Sequence, residues 1–94
     1  IRDRVIIDKA FIGIDGYTTE TGFTLRDMFR AEISSYIIQK SKDLFVVSDS
    51  SKFGCAGLTS ICKLQDIQHV ATDSDLAREY RDELLEAGID LILA

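Results

Sequence analysis

The chain has 94 residues, enough for one domain or a piece of one with a core of ordinary size. Its 46% hydrophobic and 29% charged residues exclude a disordered chain, and its formal charge of -5 argues against nucleic-acid binding by this segment alone. No apolar run approaches the roughly 20 residues of a membrane span, and the opening IRDRVIID lacks the apolar core of a signal peptide. No membrane partner is expected.

Residues 5–7 fit either the start of a strand or the end of a helix. Residues 9–15, KAFIGID, are a short apolar run that ends in Asp-Gly, the usual punctuation after a strand. Residues 16–22, GYTTETG, are polar with glycine at both ends and predict a loop. From Thr24 the period changes: Phe29, Ile33, Tyr36 and Ile37 share one face of a helix, with Thr24 and Asp27 as a capping box and Lys40 and Lys42 near the C-terminal end. The apolar run LFVVS then predicts a buried strand.

Residues 50–68 predict irregular structure, with one helical turn around residues 64–67. A short strand, HVAT, follows. The segment DSDLAREYRDELLEAG predicts a helix with Leu76, Tyr80, Leu84 and Ala87 on one stripe, Asp73 and Asp75 in its first turn and Gly88 as its stop. IDLIL predicts the last strand. Helices of this length between buried strands imply right-handed crossovers and a three-layer α/β sandwich with a mainly parallel sheet. No internal repeat or linker divides the chain, so residues 1–94 are expected to form a single domain or a fragment of one.

In open α/β sheets, ligands bind outside the carboxyl ends of the strands. Here those ends carry Asp15-Gly16, then Asp49-Ser50-Ser51-Lys52, then Thr72-Asp73. The first helix, expected to start at Thr24, would point its free amides to the same edge and make an anion site. Lys52 is a flexible cation suited to phosphate, the two serines add hydroxyl donors, and the acids suit sugar hydroxyls. The bland alternative is that Asp and Ser merely stabilise turns through local backbone hydrogen bonds.

The remaining polar residues carry less. His69, the only histidine, opens a strand without a nucleophile at a suggestive spacing, and reads as structural. Tyr36 and Tyr80 read as core, while Arg78, Arg81, Asp82 and Glu83 read as a solvated helix surface. Cys55 and Cys62 do not form a C-x-x-C pair and have no zinc pattern around them, so free thiols are expected. No P-loop, catalytic triad or metal motif occurs, and no cofactor is expected.

DKAFIGIDG, then GFT, a helix and VVSDSSKFG together resemble the C-terminal effector domain of DeoR-family transcriptional regulators. Thr72-Asp73 and the closing LLEAGIDLILA match that family's ending, so the resemblance runs from Asp8 to the end of the chain. It implies the sensor part of a bacterial cytoplasmic repressor, binding a phosphorylated sugar, touching DNA through an N-terminal winged helix-turn-helix and associating as a homo-oligomer. It also implies a Rossmann-like fold related to ribose-5-phosphate isomerase. In that picture Lys52 and the neighbouring Ser50 and Ser51 contact the phosphate and Asp15 faces the sugar, so the cluster from Asp49 to Lys52 forms part of a sugar-phosphate pocket.

The chain departs from the family pattern in two ways. The first helix reads DMFRAEISSYII, with Phe29-Arg30 and Ser34-Ser35 where the family has a Glu-rich opening and a Lys-Arg pair. The helix-turn-helix and the first half of the sensor are expected to lie outside this chain, leaving part of the pocket here. An isomerase is the alternative reading, and it lacks a clearly placed helix carboxylate, Glu32 being the only acid in the helix interior. A phospho-acceptor receiver is a further alternative, and Asp15-Gly16 is not the acidic pair that it would need.

Overall fold

The computed structural model of the chain describes residues 4–94. Four strands, β1 (Ile7–Gly13), β4 (Ser41–Val47), β6 (His69–Thr72) and β7 (Asp90–Leu93), form a fully parallel sheet in the order β1-β4-β6-β7. A second, antiparallel sheet is made of β2 (Gly16–Thr18), β3 (Gly22–Leu25) and β5 (Thr59–Cys62). Helices α1 (Met28–Lys40) and α2 (Arg78–Glu86) complete the chain. This is the α/β class with a mainly parallel sheet that the sequence predicts.

Spatial strand order equals chain order, so every crossover steps in the same direction. Right-handed crossovers then place all the connections on one face of the sheet. That face buries Ala10, Ile12, Leu44, Val46 and Val70. The opposite face carries Phe11, Phe45, His69 and Asp90 in one row, and Gly13, Val47, Ala71 and Ile92 in the next. Phe11, Val47 and Ile92 are exposed there.

The stretch read as a loop, residues 16–22, is instead strand β2 and a hairpin into β3. Thr24 is correspondingly in β3, with every residue of that strand buried, and does not cap the helix. Asp27 is the cap, accepting the Phe29 amide at 2.9 Å, and α1 begins at Met28. Asp27, expected as the box partner of a Thr24 cap, is itself the cap because Phe23 and Leu25 flank Thr24 and are drawn into the core.

The face of α1 also differs from expectation. Phe29 (79% exposed) and Ile33 (62%) point outward, and Ala31 (3%) is the buried contact. A methyl group lets the helix approach the sheet closely, while Ile37 and Ile38 pack against the core edge. Residues 50–68 hold a strand that the sequence reading missed, β5, which pairs with β3, together with the expected turn at Leu64–Asp66.

Of the stripe predicted for α2, Leu84 is fully buried on the helix; Leu76 is fully buried in the segment before it, and Ala87 is exposed. Asp73 and Asp75, expected in its first turn, lie before it. Gly88, at φ +80°, ends it. Arg81 is not a solvated surface residue: its Nε donates to the Leu76 carbonyl at 2.8 Å and its Nη2 to that of Ser74 at 2.7 Å. Between the sheets, Tyr17, Phe23, Phe53 and Tyr80 form an aromatic cluster with centroid separations of 4.6 to 6.5 Å. Cys55 and Cys62 are free thiols.

Candidate functional site

Parallel pairing puts the carboxyl ends of β1, β4, β6 and β7 at one edge of the sheet, and with them Asp15, Asp49 and Asp73. Gly13 pairs with Val47, so Asp15 and Asp49 each follow their last paired residue by two positions on neighbouring strands. A 3₁₀ turn, Ser50–Lys52, then carries Lys52 across this edge.

The turn is seated by β2. Phe53 bridges Tyr17, and the Gly54 amide donates to the Tyr17 carbonyl at 2.8 Å. A Cβ on Gly16 would lie 2.2 Å from the Cys55 carbonyl oxygen, so only glycine permits this approach. The buried Thr24 hydroxyl donates to the Gly16 carbonyl at 3.1 Å and accepts the Gly57 amide at 2.7 Å. Residues 16–17, after the first acid, and residues 53–55, after the Lys52 turn, are therefore in direct contact. Gly16 and Thr24 build the seat of the loop, while Asp15, Asp49, Ser50, Ser51 and Lys52 occupy the edge itself.

The amides of this edge have partners. Asp73 Oδ2 accepts the Ser50 amide at 2.8 Å, Asp49 Oδ1 accepts the Ser51 amide at 3.0 Å and also the Ser51 hydroxyl, and Asp15 Oδ2 accepts the Arg26 amide at 2.9 Å. The Phe29 amide at the start of α1 is taken by Asp27. The helix-start anion site expected at Thr24 is thus not at Thr24, and the turn amides face carboxylates of the chain itself. Donation by Ser51 holds Asp49 below the usual carboxylate range, and donation by Ser50 does the same for Asp73. Both carboxylates are weak bases and good acceptors for ligand hydroxyls.

Sequence reasoning missed Arg30 and the role of Asp73. Arg30 Nη1 lies 3.7 Å from Asp15 Oδ2, bringing a guanidinium to the edge from the first turn of α1. The signal was available: once Asp27 is the cap, Arg30 falls in the first turn of the helix that starts at this edge.

A cavity of about 200 Å³ opens beside the turn, lined by Val47, Ser48, Ala71, Thr72, Ile92 and Ala94 at the ends of β4, β6 and β7. The buried Thr72 hydroxyl has no hydrogen-bond partner among the described residues. The cavity is smaller than the roughly 300–1,000 Å³ of ordinary small-molecule pockets. Glu32 lies elsewhere, on a groove of about 330 Å³ between α1 and β5. His69 opens β6 at the far end from Asp73, roughly 13 Å away at 3.3 Å per residue.

The model of the family described as "DeoR C terminal sensor domain" matches residues 2–74. The HTH-type transcriptional regulator IolR of Bacillus subtilis is 32% identical over 92 residues, which is 98% of this chain and 37% of that protein. A transcriptional regulator assigned by name to the sgc region of Escherichia coli K12 is 31% identical over 87 residues, 93% of this chain and 34% of its own length. The HTH-type transcriptional repressor GlcR of Bacillus subtilis is 28% identical, over 93% of this chain and 33% of the relative. The chain spans about a third of the length of the curated relatives that it matches. Among the described residues, no helix is long and apolar enough to cross a membrane.

Proposed function

Because the chain belongs to the DeoR C-terminal sensor domain family, we propose that it is the ligand-sensing part of a bacterial, cytoplasmic, DNA-binding transcriptional repressor and that its ligand is a phosphorylated sugar. The observation that carries this reading is the convergence of Asp15, Asp49, Asp73 and Lys52 at one sheet edge, with the Lys52 turn seated on β2. Lys52 pairs with the phosphate, the serine hydroxyls donate to it, and the carboxylates accept sugar hydroxyls. DNA contact belongs to a helix-turn-helix elsewhere in the parent polypeptide, and copies associate through the sensor.

Binding here acts on DNA affinity by differential binding to two states of the regulator. No catalytic turnover is expected. Asp49 and Asp73 are held ionised by strong donors, which makes them poor proton acceptors, and Glu32 faces a different groove.

The test is a thermal-shift screen of the parent polypeptide against phosphorylated sugars, with the unphosphorylated sugars as controls. A ligand at about 100 times its dissociation constant adds about 2.7 kcal/mol of stability. Stabilisation by a phosphorylated sugar alone, lost in Lys52→Ala, supports the reading. Equal shifts with the unphosphorylated sugar, or none with any, would remove it. Turnover in a coupled aldose–ketose assay would favour the isomerase.

A further inference from the structure

We infer that Asp43, His69 and Asp90 form a protonation-dependent latch that holds the edge strand β7 on the sheet. His69 Nε2 lies 2.7 Å from Asp43 Oδ1 on β4, and its Nδ1 lies 2.8 Å from Asp90 Oδ2 on β7. The ring stacks on Phe45 at 4.0 Å between centroids and 9° between planes, and Phe45 in turn stacks on Phe11 at 4.6 Å. One imidazole thus ties three neighbouring strands on the face opposite the helices, and the stack keeps it from rotating out.

An ionised carboxylate only accepts. Both ring nitrogens must therefore carry hydrogen to bond both acids, and that is the imidazolium. A neutral ring has a single N–H, so one carboxylate meets a lone pair. Asp90 is the one that leaves: its side chain is 60% exposed and it sits on an edge strand, whereas Asp43 is 33% exposed on an interior strand. Asp43 from β4 and Asp90 from β7 face the ring, and Lys9 of β1, in register with Asp43, lies on the same face of the sheet. In the closed latch the ring's hydrogen bond to Asp90 is the first cause, and that to Asp43 the next favourable one, holding the imidazolium above the usual histidine range.

The sign follows from linkage. The folded-state value is raised, so the latch is fully closed below the ordinary value of about 6.5, weakens as pH rises toward the folded value, and is open above it. Among the described residues β7 pairs only with β6, and its end is tied by the Ala94 amide to the Thr72 carbonyl at 2.9 Å and by the Ala94 carbonyl to the Ser74 amide at 3.2 Å. Opening the latch loosens the flanks of Asp73. A consequent pH dependence of ligand affinity rests on the sensor reading above; the latch itself does not.

Amide hydrogen exchange by NMR on the ligand-free chain tests the latch independently of any ligand. The Asp90 amide, bonded to the Gln68 carbonyl at 3.0 Å, and the Ala94 amide report β7 directly. After correction for intrinsic exchange, their opening constants should rise by up to tenfold per pH unit above about pH 6.5 until the His69 ring has titrated, while β1–β4 amides stay flat. Asp90→Asn should lower the ring's titration and flatten the response. His69→Phe should keep the stack and abolish the pH dependence. Unchanged β7 protection across the ring's titration, or the same dependence in His69→Phe, would overturn the proposal.

Discussion

Asp73 and Ser50 follow different strands, and the Asp73 carboxylate accepts the Ser50 amide at 2.8 Å, closing the ends of β6 and β4 into one surface. Asp73 also accepts the Asp75 amide at 3.0 Å, so one side chain shapes both the Lys52 turn and the loop that leads into α2.

Asp73→Asn keeps the shape and removes the charge. The Asp73 carboxyl is held below its ordinary value in the fold, so its stabilisation is present above about pH 3.9 and is lost as pH falls through the folded value. Acid unfolding followed by circular dichroism should show a shallower acid limb in the variant. An identical limb would mean that the Ser50 bond contributes no charge-dependent stability.

Gly16→Ala should destabilise by about 1–3 kcal/mol, since a methyl group meets a backbone oxygen that cannot rotate away. Urea unfolding measures this. The loop after Lys52 would shift with it, so any ligand response of the parent protein should weaken in the same variant.

The inverted face of α1 is tested by a pair of substitutions. Ala31→Leu overpacks the buried contact and should cost about 1–3 kcal/mol, while Phe29→Ser, at an exposed position, should stay within about 0.5 kcal/mol. The reverse order in denaturant midpoints would restore the helix face read from periodicity.

Tyr17 donates to Glu83 at 2.5 Å, and Thr19 donates to the other oxygen of the same carboxylate at 2.9 Å. Glu83, expected on a solvated helix surface, is instead the tie between α2 and β2. Burial, then the bond to Glu83, pushes the Tyr17 phenol far above its usual value. Tyr17→Phe should cost about 1.5–3 kcal/mol, as for a hydrogen bond to a charged group, and combining it with Glu83→Gln should cost less than the sum.

What was legible in the chain was local. Strands such as HVAT, the buried Leu84 of α2, and the stop at Gly88 follow from apolar period and glycine conformation, which neighbours in sequence decide. Asp15, Asp49 and Asp73 could be placed together because parallel strands linked by helices must end at one edge. Period alone erred on α1, because it cannot tell that Ala31, not Phe29, meets the sheet: a small residue contributes little to an apolar pattern but permits close approach.

Only the tertiary structure decided the long-range pairs. β5 became a strand because β3 offered it an edge, Thr24 lost the helix cap to Asp27 because its neighbours are buried, and Glu83 found Tyr17 across 66 positions of sequence. The same holds for His69, whose two carboxylates come from strands that are remote in the chain and adjacent in the sheet. Amino-acid order determined which segments could be strands or helices and which ends would carry acids. Which polar groups meet depended on sheet order and register, a property of the whole packed chain.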